Sequence, residues 1–440
     1  MRILVISRTP WRKDNSFGNT YSNFFCNMDN VEIANIYLGD GIPDPDNRNV
    51  ISYYCLSEEK LAKSLLTRKM NSSVGGKIDP KEAGEKVTDI TVASSQSKYK
   101  KLLKIAKIQR WNILFSIREF IWKHGKYDKQ AVLKYVKEFD PDIIFLSFYY
   151  AEYVSNFALF LKDHFDIPMV SEAAIDIYTL KQISFDPVFW FHRFAVRKVV
   201  RETAAKSEFL YVISQKQKED YERLLHKECR VLYKGVDPDR KEFEYSGTSG
   251  AIKYLFTGNI SSNRWKGLSL LARAIKKHNA GQLDIYTATP ITSKMKAALS
   301  NCNIHPPVTS EEVLKLQNEA DVLVHVESFD LRSKLSVRYS ISTKVMDYIS
   351  TERCILAIGP DDVASIEFIK DNDVGIVANN NQQIETIVLN LLNNPDLLMK
   401  NAHKCRDYVT RRKSEKSLQK YLYDGLSEAI KGYNRHGSKI

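Results

Sequence analysis

No stretch of the 440-residue chain approaches the apolar length that a helical membrane span needs, so none is expected. Cysteine is sparse. Cys26, Cys55, Cys229, Cys302, Cys354 and Cys405 are scattered without a C-x-x-C pair, and they read as free thiols in a reducing cytosol. Two glycine spacings are absent, G-x-G-x-x-G and the Walker pattern, which argues against a tightly held NAD or FAD. A D-x-D at the end of an apolar strand is absent too. The D-P-D triplets at 44–46, 140–142 and 237–239 carry proline and read as turns, so neither metal nor cofactor is expected. No nucleic-acid motif occurs, and the lysines are spread among acids, so nucleic acid is not an expected partner. The opening MRILVISRTP has a five-residue apolar run and then Pro10-Trp11, which reads as a buried first strand rather than a signal peptide.

What is present describes a soluble α/β chain. It is 43% hydrophobic and 27% charged, with a formal net charge of +12 that favours an anionic partner. Strand patterns recur at 3–7, 31–38, 142–148, 168–173 and 208–214, then at 252–258, 283–288, 321–328, 354–359 and 373–378. Helical patterns alternate with them, so two doubly wound domains are expected, 1–243 and 252–400, joined by a Gly/Ser linker at 244–251. The charged helical end, 401–440, is expected to pack back on the first domain. Residues 68–98 read as a polar loop. The segment 98–124 reads as a helix with Lys100, Lys101, Lys104 and Lys107 on one face, and it then turns aromatic. It fits an anionic membrane surface and a solvated domain helix equally well.

Two stretches in the second half carry candidate chemistry. The first is GNISSNRWKG, where Gly258 and Asn259 end a strand and Arg264 and Lys266 precede a helix. A glycine turn, a helix N-terminus and two cations suit a phosphate, although an ordinary loop with solvated charges has the same look. The second runs from Glu327, at the end of an apolar strand, through a loop bearing Arg332, Lys334 and Arg338. Ser342, Thr343 and Lys344 follow at a helix start, with Asp347 one turn in. Ser342 is explained by capping alone and Asp347 by the helix dipole, but a lysine there is unfavourable unless an anion is also present. Both stretches follow strands of one domain, where open α/β sheets bind ligands. Together they suggest a nucleoside diphosphate.

These residues resemble a family. ILVISRTPWRKDNSFGNTYSNFF, PDIIFLSFYYAEYVSNFALFLKDHFDIPMV, FLYVISQKQKEDYERLL, VLYKGVDPDR, GNISSNRWKGL and STKVMDYIST are similar, in order and spacing, to segments of GT-B glycosyltransferases of the retaining family-4 type. The resemblance implies two Rossmann-like domains facing each other across a cleft, with the C-terminal helix returning to the first. It implies a nucleoside-diphosphate sugar donor on the second domain and a glycan or lipid-linked glycan acceptor on the first. Transfer with retention would serve surface polysaccharide assembly at the inner face of the membrane. Carried over by position, Gly258, Asn259, Arg264 and Lys266 would hold the diphosphate and Asp347 the ribose. Glu327, Ser342, Thr343 and Lys344 would meet the sugar or distal phosphate, and Ile304 to Val308 would flank the base. Gly18 and Asn19 would belong to the acceptor-side loop, and Asp176 would fall near the catalytic segment of the first domain. The E-x7-E pair of the family is absent, since Leu335 stands eight positions after Glu327. A sugar-nucleotide epimerase and a non-catalytic nucleotide-sugar-binding subunit stay open as alternatives.

Overall fold

The structure is a computed structural model that describes residues 1–67, 74–79, 113–236, 245, 247–248, 250–411 and 415–437. The lysines of the basic stretch, the 237–239 triplet and most of the linker lie outside the described residues. The chain forms two compact units, Met1–Leu180 with Ser184–Tyr233 and Lys416–Ile440, and Lys181–Ile183 with Lys234–Glu415.

The first unit is built on eight strands, β1 (Arg2–Ser7), β2 (Glu32–Leu38), β3 (Val50–Leu56), β4 (Gly75–Ile78), β5 (Ile143–Ser147), β6 (Met169–Ala173), β7 (Leu210–Val212) and β8 (Cys229–Val231). They lie in the order β4-β3-β2-β1-β5-β6-β7-β8. All neighbours are parallel except β4, which runs antiparallel to β3. Central strands covered on both faces must be apolar throughout, and Ile3, Leu4, Val5 and Ile6 of β1 are fully buried. One face packs Leu4, Ile6 and Leu146 against Val154 and Ala158 of the helix Glu152–Phe165. On the other, Ile3, Val5, Phe145 and Tyr211 meet Leu418, Leu422 and Leu426 of the helix Glu415–Gly437. Those leucines recur every four residues, and burying them contributes on the order of 5 kcal/mol. Gly425 on that helix permits close approach, since a Cβ there would lie 2.3 Å from the Tyr211 hydroxyl.

The second unit has six parallel strands, β9 (Lys253–Thr257), β10 (Gln282–Tyr286), β11 (Asn303–His305), β12 (Val322–Val326), β13 (Cys354–Ile358) and β14 (Ile376–Ala378), in the order β11-β10-β9-β12-β13-β14. The order reverses between β9 and β12. A crevice opens at the carboxyl ends of two such strands because their following connections leave to opposite sides.

All ten expected strands are present. Four more are not evident from periodicity: β3, which mixes serine and cysteine among its tyrosines, the glycine-rich β4, and the three-residue edges β8 and β11. Residues 75–78 are thus a paired strand rather than loop. The segment that returns to the first unit starts near 415, not 401. The preceding helix Asp396–Arg411 keeps Leu398 and Ala402 in the second unit's core, and its Cys405 thiol lies 3.3 Å from the Val374 carbonyl.

Candidate functional site

Gly258 follows β9 and Glu327 follows β12, so the strand reversal brings the two candidate stretches together. The Arg264 guanidinium, first in the helix Arg264–His278, reaches Glu327 with Nη2 at 3.0 Å from Oε2 and 3.2 Å from Oε1, and with Nε at 3.2 Å from Oε2. Glu327 is only 4% exposed, and this burial pushes its carboxyl upward against the opposing pull of Arg264 and Lys344. His325 sits below it, 3.1 Å from the Ser365 hydroxyl and 3.7 Å from the Glu327 carboxylate. Burial, then repulsion from Arg264 and Lys344, pushes its imidazole down to about 3, so it is neutral at physiological pH.

Lys344 is the centre of this cluster. Burial and the like charge of Arg264 lower its ammonium to about 8, while Glu327 and Asp347 act in the opposite direction. Its Nζ lies 5.5 Å from the centre of the Phe256 ring. The residue beneath it has to be glycine. Gly258 has φ of 132°, and a Cβ there would stand 1.6 Å from the Lys344 Nζ. The space that the missing side chain leaves at Gly258 is taken by this lysine.

The two helix starts differ in what they offer an anion. At GNISSNRW the chain closes on itself through Ser262 and Asn263, at φ of 57° and 64°. The amides of Arg264, Trp265 and Lys266 donate to the carbonyls of Ser261, Ile260 and Asn263. Gly258 N–H donates to Tyr286 O, Ile260 N–H to the Thr289 hydroxyl, and Ser261 N–H to the Asn259 side chain. Asn259 also accepts from Thr289, at 3.1 Å, so it organises the turn. In the helix Thr343–Ser350, the N-cap Ser342 makes no side-chain cap bond. The Thr343 and Lys344 amides, at the first two helical positions, have no intrahelical acceptor.

Other expected residues fall around this centre. Lys266 is exposed, near the Trp265 ring, and its field acts on Asp330 rather than on Glu327. Asp347 is paired through Oδ1 with Lys234, at 2.5 Å. Sequence spacing had no means of finding Lys234, because 113 positions separate the pair. Lys334 lies on a short helix, Leu331–Val337, rather than in a loop, and pairs with Asp362 at 3.0 Å. That helix forms because Asp330 caps it, accepting from Ser333 N–H at 3.0 Å. Ile304 lies in the edge strand β11, where His305 stacks on Tyr286 at 4.4 Å, and Val308 follows in the connection to the helix Ser310–Glu319.

In the first unit Asp176, expected near the catalytic segment, is engaged by groups of its own fold. It is buried, and Oδ1 accepts from the amides of Tyr178 and Thr179 and from the Arg193 guanidinium, at 3.1, 2.9 and 3.0 Å. Oδ2 accepts from the Thr179 hydroxyl. Three of these four donors meet Oδ1 and one meets Oδ2, so the carboxylate is fixed in place by its own loop and by Arg193. Gly18 lies in the helix Ser16–Phe25, where a Cβ would stand 2.0 Å from the Arg12 carbonyl; the chain's own packing requires this glycine. The Asn19 Oδ1 beside it is buried without a hydrogen-bond partner.

Sequence reasoning missed Glu172, which is buried at the end of β6 and accepts from Ser147 and Tyr21 at 3.1 and 3.2 Å. Burial raises its carboxyl to about 7. It also missed Glu119, Glu152 and His192, whose ligating atoms lie within 4.8 Å of one another. Glu119 caps the helix Glu152–Phe165, accepting from the amides of Glu152 and Tyr153 at 2.7 and 3.0 Å, and burial raises its carboxyl to about 7. Its two oxygens are thereby committed to a cap.

No protein-family model matches the chain, and no curated protein matches it in sequence. Solved structures do match in fold. Anabaena Alr3699/HepE in complex with UDP aligns over 97% of this chain and 100% of its own, at 9% identity and a TM-score of 0.62. A structure described as trehalose-6-phosphate from E. coli bound with UDP-2-fluoro glucose aligns over 97% and 99%, at 9% identity and a TM-score of 0.58. TarM aligns over 67% of this chain at 15% identity and a TM-score of 0.50, and the chain spans 57% of TarM's length. At such identities the likeness concerns the path of the backbone, and the chain has the GT-B fold that these glycosyltransferases share.

Proposed function

We propose that the protein is a glycosyltransferase that binds a nucleoside-diphosphate sugar in its second unit and transfers the sugar to an acceptor hydroxyl. The observation that carries this reading is Lys344, held with Arg264 over Gly258 at the uncapped start of the helix Thr343–Ser350. A half-buried ammonium beside a second cation is costly in the empty protein, and a diphosphate relieves that cost. The UDP and UDP-sugar held by two of the structural relatives are consistent with such a ligand.

In the reaction the bond from the anomeric carbon to the β-phosphate oxygen breaks, and a bond to the acceptor oxygen forms. The acceptor proton leaves with the diphosphate in a front-face transfer that retains configuration. The barrier is dominated by charge growing on the leaving β-phosphate. Arg264, Lys344 and the Thr343 and Lys344 amides are arranged to receive that charge, so the reading does not call on a metal. Glu327 holds the Arg264 guanidinium in place, and Asp347, shared with Lys234, is available to the ribose. The natural acceptor in this reading is a glycan or lipid-linked glycan of a surface polysaccharide.

A thermal-shift panel of nucleoside diphosphates and nucleotide sugars tests the reading. A base-selective rise in Tm, followed by sugar release that depends on added acceptor, is the expected result. Conversion of the donor without acceptor would point to an epimerase instead, and binding without any turnover to a non-catalytic subunit.

A further inference from the structure

The first unit carries an apolar surface that its own fold does not use. In the helix Pro187–Lys206, Phe191 is 75% exposed, and Phe194, Lys198 and Arg201 are exposed as well. At 100° per residue these four side chains fall on one narrow stripe, aromatic toward the N-terminus and cationic toward the C-terminus. Phe185, just before the helix, is 99% exposed. Its position is not loose. The Trp190 indole donates to the Ser184 carbonyl at 2.8 Å, and Asp186 caps the helix by accepting from Val188 N–H at 2.9 Å. A second stripe lies on the adjoining helix Ile113–His124, where Ile113, Ile117 and Phe120 are exposed at spacings of four and three, followed by exposed Lys123 and His124. The two helices pack together through Phe115, which stacks on His192 at 5.5 Å.

Isolated exposed aromatics are ordinary, but five large apolar side chains on two packed helices, with Phe185 just before one of them, are not. The charges around them decide what covers them. Among the exposed residues of the two stripes the ionised groups are Lys123, Lys198, Arg201 and the single acid Glu202, a net positive set, and the chain as a whole carries +12. Another protein surface would need acids set against them, whereas a bilayer rich in anionic lipid supplies both the apolar depth and the negative field. We propose that Phe185, Phe191 and Phe194, with Ile113, Ile117 and Phe120, insert into the interface of an anionic membrane, and that Lys198 and Arg201 contact its headgroups. This docking surface is independent of the transferase reading, since it concerns where the protein sits and not what it transfers.

Flotation of the full chain with vesicles of phosphatidylglycerol and phosphatidylcholine, and with vesicles of phosphatidylcholine alone, tests it. The unaltered protein floats with the anionic vesicles and remains below with the neutral ones. Phe191→Ser with Phe194→Ser lowers the partition coefficient more than about tenfold, and Lys198→Ala lowers it about fivefold. Both variants keep the Tm and the nucleotide-induced thermal shift of the parent, because these side chains support no core. Failure of the parent to float with anionic vesicles overturns the proposal, and so does equal flotation of the double variant. Sedimentation showing a dimer that Phe191→Ser with Phe194→Ser dissociates would assign the surface to a second copy of the chain and equally overturn it.

Discussion

Two helix starts in the second unit look alike in sequence and differ in what they present. GNISSNRWKG brings a glycine, a strand end and two cations, the usual ingredients of a phosphate cradle. The amides of Gly258, Ile260, Ser261, Arg264, Trp265 and Lys266 are nevertheless taken by nearby carbonyls and side chains, and of its two cations Arg264 reaches Glu327. SISTKVMD has no glycine at all, but its Ser342 makes no side-chain cap bond, the Thr343 and Lys344 amides have no intrahelical acceptor, and its lysine lies across the glycine of the other stretch. The glycine therefore serves the site by admitting a side chain. An anion site is better recognised by asking where the backbone donors go than by counting glycines.

Breaking the shared centre gives the largest effect. Arg264→Ala leaves Glu327 buried without its partner, at a cost of about 3 kcal/mol in stability, and weakens nucleoside-diphosphate binding roughly 100-fold. Chemical denaturation and calorimetry measure the two losses separately. Lys344→Met separates binding from stability. Affinity falls roughly 30-fold, the loss of a charge-assisted contact, yet the empty protein becomes more stable at pH 7. The sign follows from linkage. The folded-state value is depressed from 10.5 to about 8, so charging Lys344 opposes folding in full below pH 8, and that penalty fades as pH rises toward 10.5.

Gly258→Ala sharpens the contrast from the other side. The added methyl group displaces the lysine and strains a residue at positive φ, and affinity drops roughly tenfold with Lys344 still present. Acidity offers a smaller, reversible version of the same change. Diphosphate affinity of the parent falls as pH is raised from 7 through 9, while Lys344→Met shows no such slope; titrations at several pH values reveal the difference. The smallest expected effect is that of Lys266→Ala, whose exposed ammonium acts on Asp330, and its affinity stays within about twofold of the parent.

The residues explain how much of this the sequence contained. The apolar strands that build both sheets were legible because burial on two faces demands continuous hydrophobic runs. Short edge strands such as β8 and β11 carry too few residues for any period to show. Lys344 stood out in the sequence because a cation at a helix start is electrostatically out of place, and the fold sets it between Arg264, Glu327 and Gly258. Lys234 gave no such signal, since its partner Asp347 is reached only through the fold. Asp176 was marked only by the family resemblance, and the four donors around it come from residues that the fold brings together.

The most direct test of the central claim is calorimetric titration of UDP into Lys344→Met and Lys266→Met side by side. The account expects binding to be lost or weakened at least tenfold in the first and retained in the second. Equal binding by both, or loss only in Lys266→Met, would contradict it and return the diphosphate to the GNISSNRWKG turn.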